Sequence, residues 1–125
     1  MNTDLSAMNS ITEKVIGCAY KVSNTLGAGF LEKVYENALV HELRHSELNA
    51  RQQHPIQVWY DGIMVGDFAA DILVEDQVLV ELKSQKALDE SHTAQCLNYL
   101  RATGLHLCLL INFGRPRIEI RRIAL

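Results

Sequence analysis

The run Asp71-Ile-Leu-Val-Glu-Asp-Gln-Val-Leu-Val-Glu81-Leu-Lys83 leaves this chain few ways to fold. Two hydrophobic stretches flank a short polar turn, which reads as a pair of antiparallel strands. One acid lies near the end of the first strand. Glu81 and Lys83 close the second. Side chains alternate across a strand, so Glu81 and Lys83 share a face and Leu82 takes the other. Val78, Leu79 and Val80 are apolar on both faces, which predicts a strand in the middle of a sheet.

Where Asp71 points depends on the turn. A two-residue loop pairs Val74 with Gln77 and sets Asp71 opposite Val80. A three-residue loop, Glu75-Asp76-Gln77, pairs Val74 with Val78 and brings Asp71 directly across from Glu81, on the same face. Two like charges at that distance repel. A divalent cation, which favours oxygen ligands, removes the repulsion. The three-residue connection is therefore predicted.

Such a constellation suits phosphodiester hydrolysis. Asp71 and Glu81 would hold Mg²⁺ or Mn²⁺, with the Leu82 carbonyl as a further ligand. The metal would polarise the phosphate and acidify a water. Lys83 would orient or help deprotonate that water and offset developing negative charge. The competing reading is a surface hairpin with an ordinary cross-strand ion pair.

The rest of the chain surrounds this hairpin. Ser10-Ile-Thr-Glu13 is a capping-box pattern. Ile11, Val15, Ala19, Val22 and Leu26 then share one helical face up to Gly27. A second helix is predicted from about Phe30 to His45, with an apolar arc of Leu31, Val34, Tyr35, Ala38, Leu39 and Leu43. Glu32 falls inside that arc and Glu36 at its edge. Glu32 is either a metal-binding or catalytic carboxylate, costly to bury unless compensated, or an acid favoured by the first turn of the helix. The helix ends in His41-Glu-Leu-Arg-His45, the HExxH pattern of zinc hydrolases, with no obvious third ligand later in the chain.

Strand patterns follow: Gln53 to Tyr60, an Asp61-Gly62 hairpin turn, Ile63 to Val74, and Val78 to Lys83. Asp89 or Ser91 caps a third helix with Ala94, Leu97 and Leu100 on its apolar face, closed by Gly104. Gln95 and Tyr99, spaced i, i+4, share another face of that helix. Leu105 to Phe113 reads as a buried strand and Ile118 to Ile123 as a basic edge strand. The element order is α-α-β-β-β-α-β-β, an α/β (α+β) mixed sheet. Residues 1–9 read as a flexible lead-in and 10–125 as one domain.

Composition narrows the function. A chain of 125 residues with net charge −3 is not one that coats a nucleic-acid backbone with lysine and arginine. Aromatics make up 6%, so base stacking is not written into the composition. The cysteines, Cys18, Cys96 and Cys108, are far apart and read as isolated buried thiols. With no basic-then-apolar leader and no run long enough to span a bilayer, a cytoplasmic protein is expected.

Three motifs together resemble a known family. Gly29-Phe-Leu-Glu32-Lys-Val-Tyr35 matches the signature of the GxxExxY proteins. Asp71…Glu81-Leu-Lys83 is similar to the PD-(D/E)XK nuclease signature, with Ala70 where proline is often found. Gln95-Cys-Leu-Asn-Tyr99 resembles the QxxxY motif of the RecB-like branch. The likeness covers about Ile11 to Ile123, with the motifs in the expected order. It implies a restriction-endonuclease-like core, with Glu32 as the helical acid of the site and Gln95 and Tyr99 beside it. The expected function is a metal-dependent nuclease acting on DNA. The alternatives are a catalytically silent nucleic-acid-binding or assembly module and a small zinc hydrolase. A homodimer would help so small a domain hold short nucleic acids.

Overall fold

The computed structural model describes residues 2–125, with side chains described from residue 6. Its elements are α1 (Asn2–Leu26), α2 (Glu32–His45), β1 (Ala50–Tyr60), β2 (Ile63–Val74), β3 (Val78–Lys83), α3 (Glu90–Thr103), β4 (Leu107–Asn112) and β5 (Glu119–Ala124). This is the predicted order. The five strands form one sheet in sequential order. Only β3 and β4 run parallel, and α3 is the crossover between them.

Alternation along the strands separates two apolar layers. Val78, Val80 and Leu82 of β3 pack with α1 and α2 on one face. Leu79, with Cys108 and Leu110 of β4, packs against Cys96, Tyr99 and Leu100 of α3 on the other. β3 and β4 sit between neighbours on both sides, and all six residues of β4 are buried. Continuous apolar runs suit that central position.

The turn chemistry is legible residue by residue. Asp61 and Gly62 both take positive φ (51° and 76°), as a tight two-residue hairpin requires. Glu75 and Asp76 also adopt positive φ, and Val74 pairs with Val78 across the predicted three-residue connection. Asp89 rather than Ser91 caps α3, accepting from the Ser91 N–H at 2.8 Å. Gly104 closes that helix in the left-handed conformation.

Two expectations are corrected. Helix α1 begins at Asn2, so Ser10 lies within the helix and does not open it. Nothing interrupts helical backbone before Ser10, and Thr12 instead bonds back to the Asn9 carbonyl. In α3 the buried residues are His92, Cys96, Tyr99 and Leu100, while Ala94 is exposed. The helix is rotated toward its cysteine and tyrosine, which reach the sheet further than alanine does. No helix among the described residues is long and apolar enough to cross a membrane.

Candidate active site

The site lies where β2 and β3 part. Their ladder runs through Ile72 and Val80 and stops there. One step further, side chains take over from backbone pairing. The Asp71 N–H donates to Glu81 Oε2 at 2.6 Å, and the Leu82 N–H donates to Asp71 Oδ2 at 2.8 Å. The predicted register thus places the two acids across from one another, each binding the other strand's backbone.

On its other edge β2 is loosened too. The β1–β2 ladder passes from Gln52–Ile72 to His54–Ala70 and skips Gln53, whose partner would be Asp71. Gln53 has a φ of 54°. A non-glycine residue held there costs on the order of 1 kcal/mol and persists only when its surroundings fix it. The alternation breaks at this point as well. Ile72 and Val74 face the α1–α2 layer, whereas Ala70 joins the α3 layer.

Burial makes the acids costly to ionise. Glu81 is 3% exposed. Loss of hydration, then the Asp71 charge, pushes its carboxyl up to about 8, against the pull of the Asp71 N–H and Lys83. Asp71 is raised as well, first by burial. The Leu82 N–H pulls it back down, while Glu36 and Glu32 add negative charge that pushes it up.

Lys83 shares the Glu81 face as predicted. Its Nζ donates to Gln95 Oε1 at 3.2 Å, and Gln95 Nε2 donates to Tyr99 Oη at 3.2 Å. The three residues taken from two separate motifs therefore form one hydrogen-bonded chain from β3 to α3. Burial and the Glu81 charge raise the Tyr99 phenol, so it stays protonated and neutral.

Helix α2 differs from expectation. Leu31 precedes its first turn and is 82% exposed, and Glu32 is exposed too. The buried acid is Glu36, at 3% exposure. Its carboxylate accepts from Lys33 Nζ, from Gln52 Nε2 at 2.7 Å and from Gln53 Nε2 at 3.0 Å. Tyr35 sets this rotation. Its ring stacks on Phe113 at 4.6 Å, and its hydroxyl donates to the Gly27 carbonyl at 2.6 Å. Periodicity had placed Glu36 only at the edge of the arc. The neighbouring pair Gln52-Gln53, entering the sheet, was the signal for its partners.

Removing the Glu36 carboxylate strands two amides and an ammonium. Glu36→Ala is expected to lower unfolding free energy by about 1–3 kcal/mol in urea titrations. Glu32→Ala should stay within about 0.5 kcal/mol, and an equal loss from both would contradict this placement.

The HExxH pattern is not assembled into a centre. His41 and His45 stack on the exposed side of α2, and Glu42 pairs with Lys21 at 3.0 Å. Among the described residues, no group of three His, Cys, Asp or Glu side chains is placed to hold a metal ion.

The strand fork itself fits a cation of the oxygen-seeking kind in part. Among the described residues, Asp71 Oδ1 and Glu81 Oε1 accept no hydrogen bond, leaving one open oxygen on each acid. A strand residue's N–H and C=O lie on the same edge, so the Leu82 carbonyl also opens into the fork. Two crowded acids with raised proton affinity are a donor set that a divalent ion neutralises.

A mixed sheet with helices on both faces and acids at its strand fork defines a restriction-endonuclease-like fold. The sequence pattern of the PD-(D/E)XK nuclease superfamily matches residues 9–123, and the chain belongs to that superfamily. No curated protein matches the sequence. Similar solved structures include the following two. One is the crystal structure of SSO0001, at 17% identity and TM-score 0.59, covering 74% of this chain and 48% of that one. The other is an alkaline exonuclease, LHK-Exo from Laribacter hongkongensis, at 15% identity and TM-score 0.54, covering 74% and 55%. The chain spans about half the length of these neighbours, and the likeness is one of fold. Nucleases of this superfamily generally use divalent metal ions.

Proposed function

We propose that this protein is a Mg²⁺- or Mn²⁺-dependent nuclease that hydrolyses phosphodiester bonds of DNA, within the GxxExxY branch of the superfamily. The observation that carries the reading is the fork, where Asp71 and Glu81 oppose one another beside Lys83. Asp71, Glu81 and the Leu82 carbonyl would hold the ion. Glu32 is the additional helical acid: it is exposed at the start of α2 and adds to the negative charge felt by Asp71. Glu36 is less suited to that role, because Lys33, Gln52 and Gln53 already occupy its carboxylate.

When bound, a divalent ion supplies Lewis-acid polarisation of the phosphodiester and acidifies a water. The chain's own groups do the remaining work. Burial removes competing water from Glu81. Lys83, held at its Nζ by Gln95, places a positive charge beside the scissile phosphate and orients the attacking water. Gln95 and Tyr99 contact the substrate backbone. A cytoplasmic setting, where the three free thiols stay reduced, and a homodimer belong to the same reading.

Incubation with labelled DNA tests it. The protein should cleave with Mg²⁺ or Mn²⁺ and not in chelator. Asp71→Ala and Lys83→Ala should each lose about a hundredfold or more. Equal cleavage by all three proteins, or cleavage by none under any condition, overturns the reading.

A further inference from the structure

The β1–β2 hairpin and α3 enclose a groove of about 850 Å³ that opens beside the site. Its walls include Trp59, Phe68, Gln95, Asn98, Tyr99 and Arg101. Trp59 and Phe68 are 58% and 50% exposed although both are large and apolar. The Phe68 and Tyr99 rings are 6.0 Å apart and tilted by 43°. Trp59, Phe68 and Tyr99 are three of only eight aromatic residues in the chain, one Trp, three Phe and four Tyr. Low aromatic content therefore conceals a local concentration around one groove.

We propose that this groove seats unpaired nucleotides of a nucleic-acid strand whose backbone leads to the fork. The proposal rests on the nuclease reading and adds a substrate feature to it, a requirement for an unpaired segment. Three observations select this occupant over a purely apolar one. First, the groove is continuous with the site, because Gln95 and Tyr99 line it and Gln95 also holds Lys83. Second, amides and a guanidinium stand among the rings. Asn98 can meet a base edge, and exposed Arg101, bonded only to Asn98 among the described residues, can meet a phosphate. Third, exposed rings are the usual stacking platform for bases freed from a duplex, whose faces are otherwise covered by their neighbours. A duplex offers the groove no base face, so the platform favours frayed ends, overhangs or single strands.

Trp59 is the only tryptophan, so its emission reports directly on the groove. The test titrates the metal-free protein in chelator with a short single-stranded DNA oligonucleotide and, separately, a blunt duplex of the same sequence. Single strands should quench Trp59 saturably, and the duplex should do so far less. Phe68→Ala and Phe68→Leu should each weaken single-strand affinity about tenfold, since leucine restores apolar volume but not a stacking face. Thermal melting of both variants separates loss of fold from loss of stacking. No quenching by single strands, equal quenching by the duplex, or full affinity in Phe68→Leu would overturn the proposal. So would emission that follows protein concentration alone, which marks the groove as covered by a second copy. Quenching without cleavage under any metal condition leaves the groove standing and removes the nuclease reading. Cleavage without quenching does the reverse.

Discussion

Replacing Glu81 with glutamine is expected to stabilise the metal-free protein at neutral pH while abolishing cleavage. Glutamine keeps the shape of the side chain, and its Oε1 can still accept from the Asp71 N–H, so the fork should hold. What it removes is a carboxyl that is buried, faces Asp71, and has its proton affinity pushed up to about 8. Because the folded value lies above the ordinary one of 4.5, folding favours the protonated acid. That contribution is fully present below about 4.5 and is lost as pH rises through about 8. At pH 7 the unfolded chain ionises this group freely and the folded one does not. The difference is on the order of a few kcal/mol against the native state. Asp71 is raised as well and adds a loss of the same sign.

The wild-type unfolding midpoint in chelator should therefore fall steadily between pH 5 and 8, the window set by the Glu81 shift. The Glu81→Gln profile should be flatter and higher at the alkaline end. Adding Mg²⁺ or Mn²⁺ should raise the wild-type midpoint and leave the variant nearly unchanged. A wild-type midpoint that does not vary across this window in chelator would contradict the account.

A second large effect is expected far from any charge. A Cβ added at Gly114 would lie 2.1 Å from the Gln85 carbonyl oxygen and 2.2 Å from its nitrogen. Both are backbone atoms and have no rotamer by which to move aside. The approach is fixed by Asn112, which is fully buried. Its Oδ1 accepts from the N–H groups of Gln85 and Gly114 at 2.9 and 3.0 Å, and its Nδ2 donates to the Gln85 carbonyl at 2.9 Å. Gly114→Ala must break this junction and should cost about 3 kcal/mol or more, at the upper end for overpacking. Gln85 lies two residues after Lys83, so catalysis should fall with stability. In an Asn112→Ala background the junction is already loosened, and the further cost of Gly114→Ala should shrink. Gly17→Ala is the control. It sits in α1 with nothing within 4 Å of the added carbon and should stabilise by up to about 1 kcal/mol. Equal effects at Gly17 and Gly114 would refute the steric argument.

The hairpin that opened the sequence reading was legible because two rules converge on it. Strand alternation fixes faces, and repulsion between Asp71 and Glu81 favours the register that a cation can relieve. Together they gave the Val74–Val78 pairing. Helix periodicity was less informative for α2. It identifies a stripe but not where the helix begins, nor how one residue turns it. The stacking of Tyr35 on Phe113, a contact across most of the chain, buries Glu36 and leaves Glu32 at the exposed first turn. No local pattern contains that contact. The same applies to Gln53, whose left-handed backbone depends on Glu36 seventeen residues earlier. The groove was illegible for a different reason. Composition counts aromatic residues, and only the crossing of the hairpin over α3 brings Trp59, Phe68 and Tyr99 to one surface.

The exchange of bonds at the fork has a consequence for how the sheet breathes. Elsewhere between β2 and β3, amide protons are shielded by a ladder that opens only when the strands separate. The Asp71 and Leu82 amides are shielded by two ionisable side chains instead. Their hydrogen exchange is thereby tied to proton or cation occupancy of the site rather than to global unfolding. Two backbone positions in the centre of the molecule become native reporters of whether the fork is charged, neutral or filled.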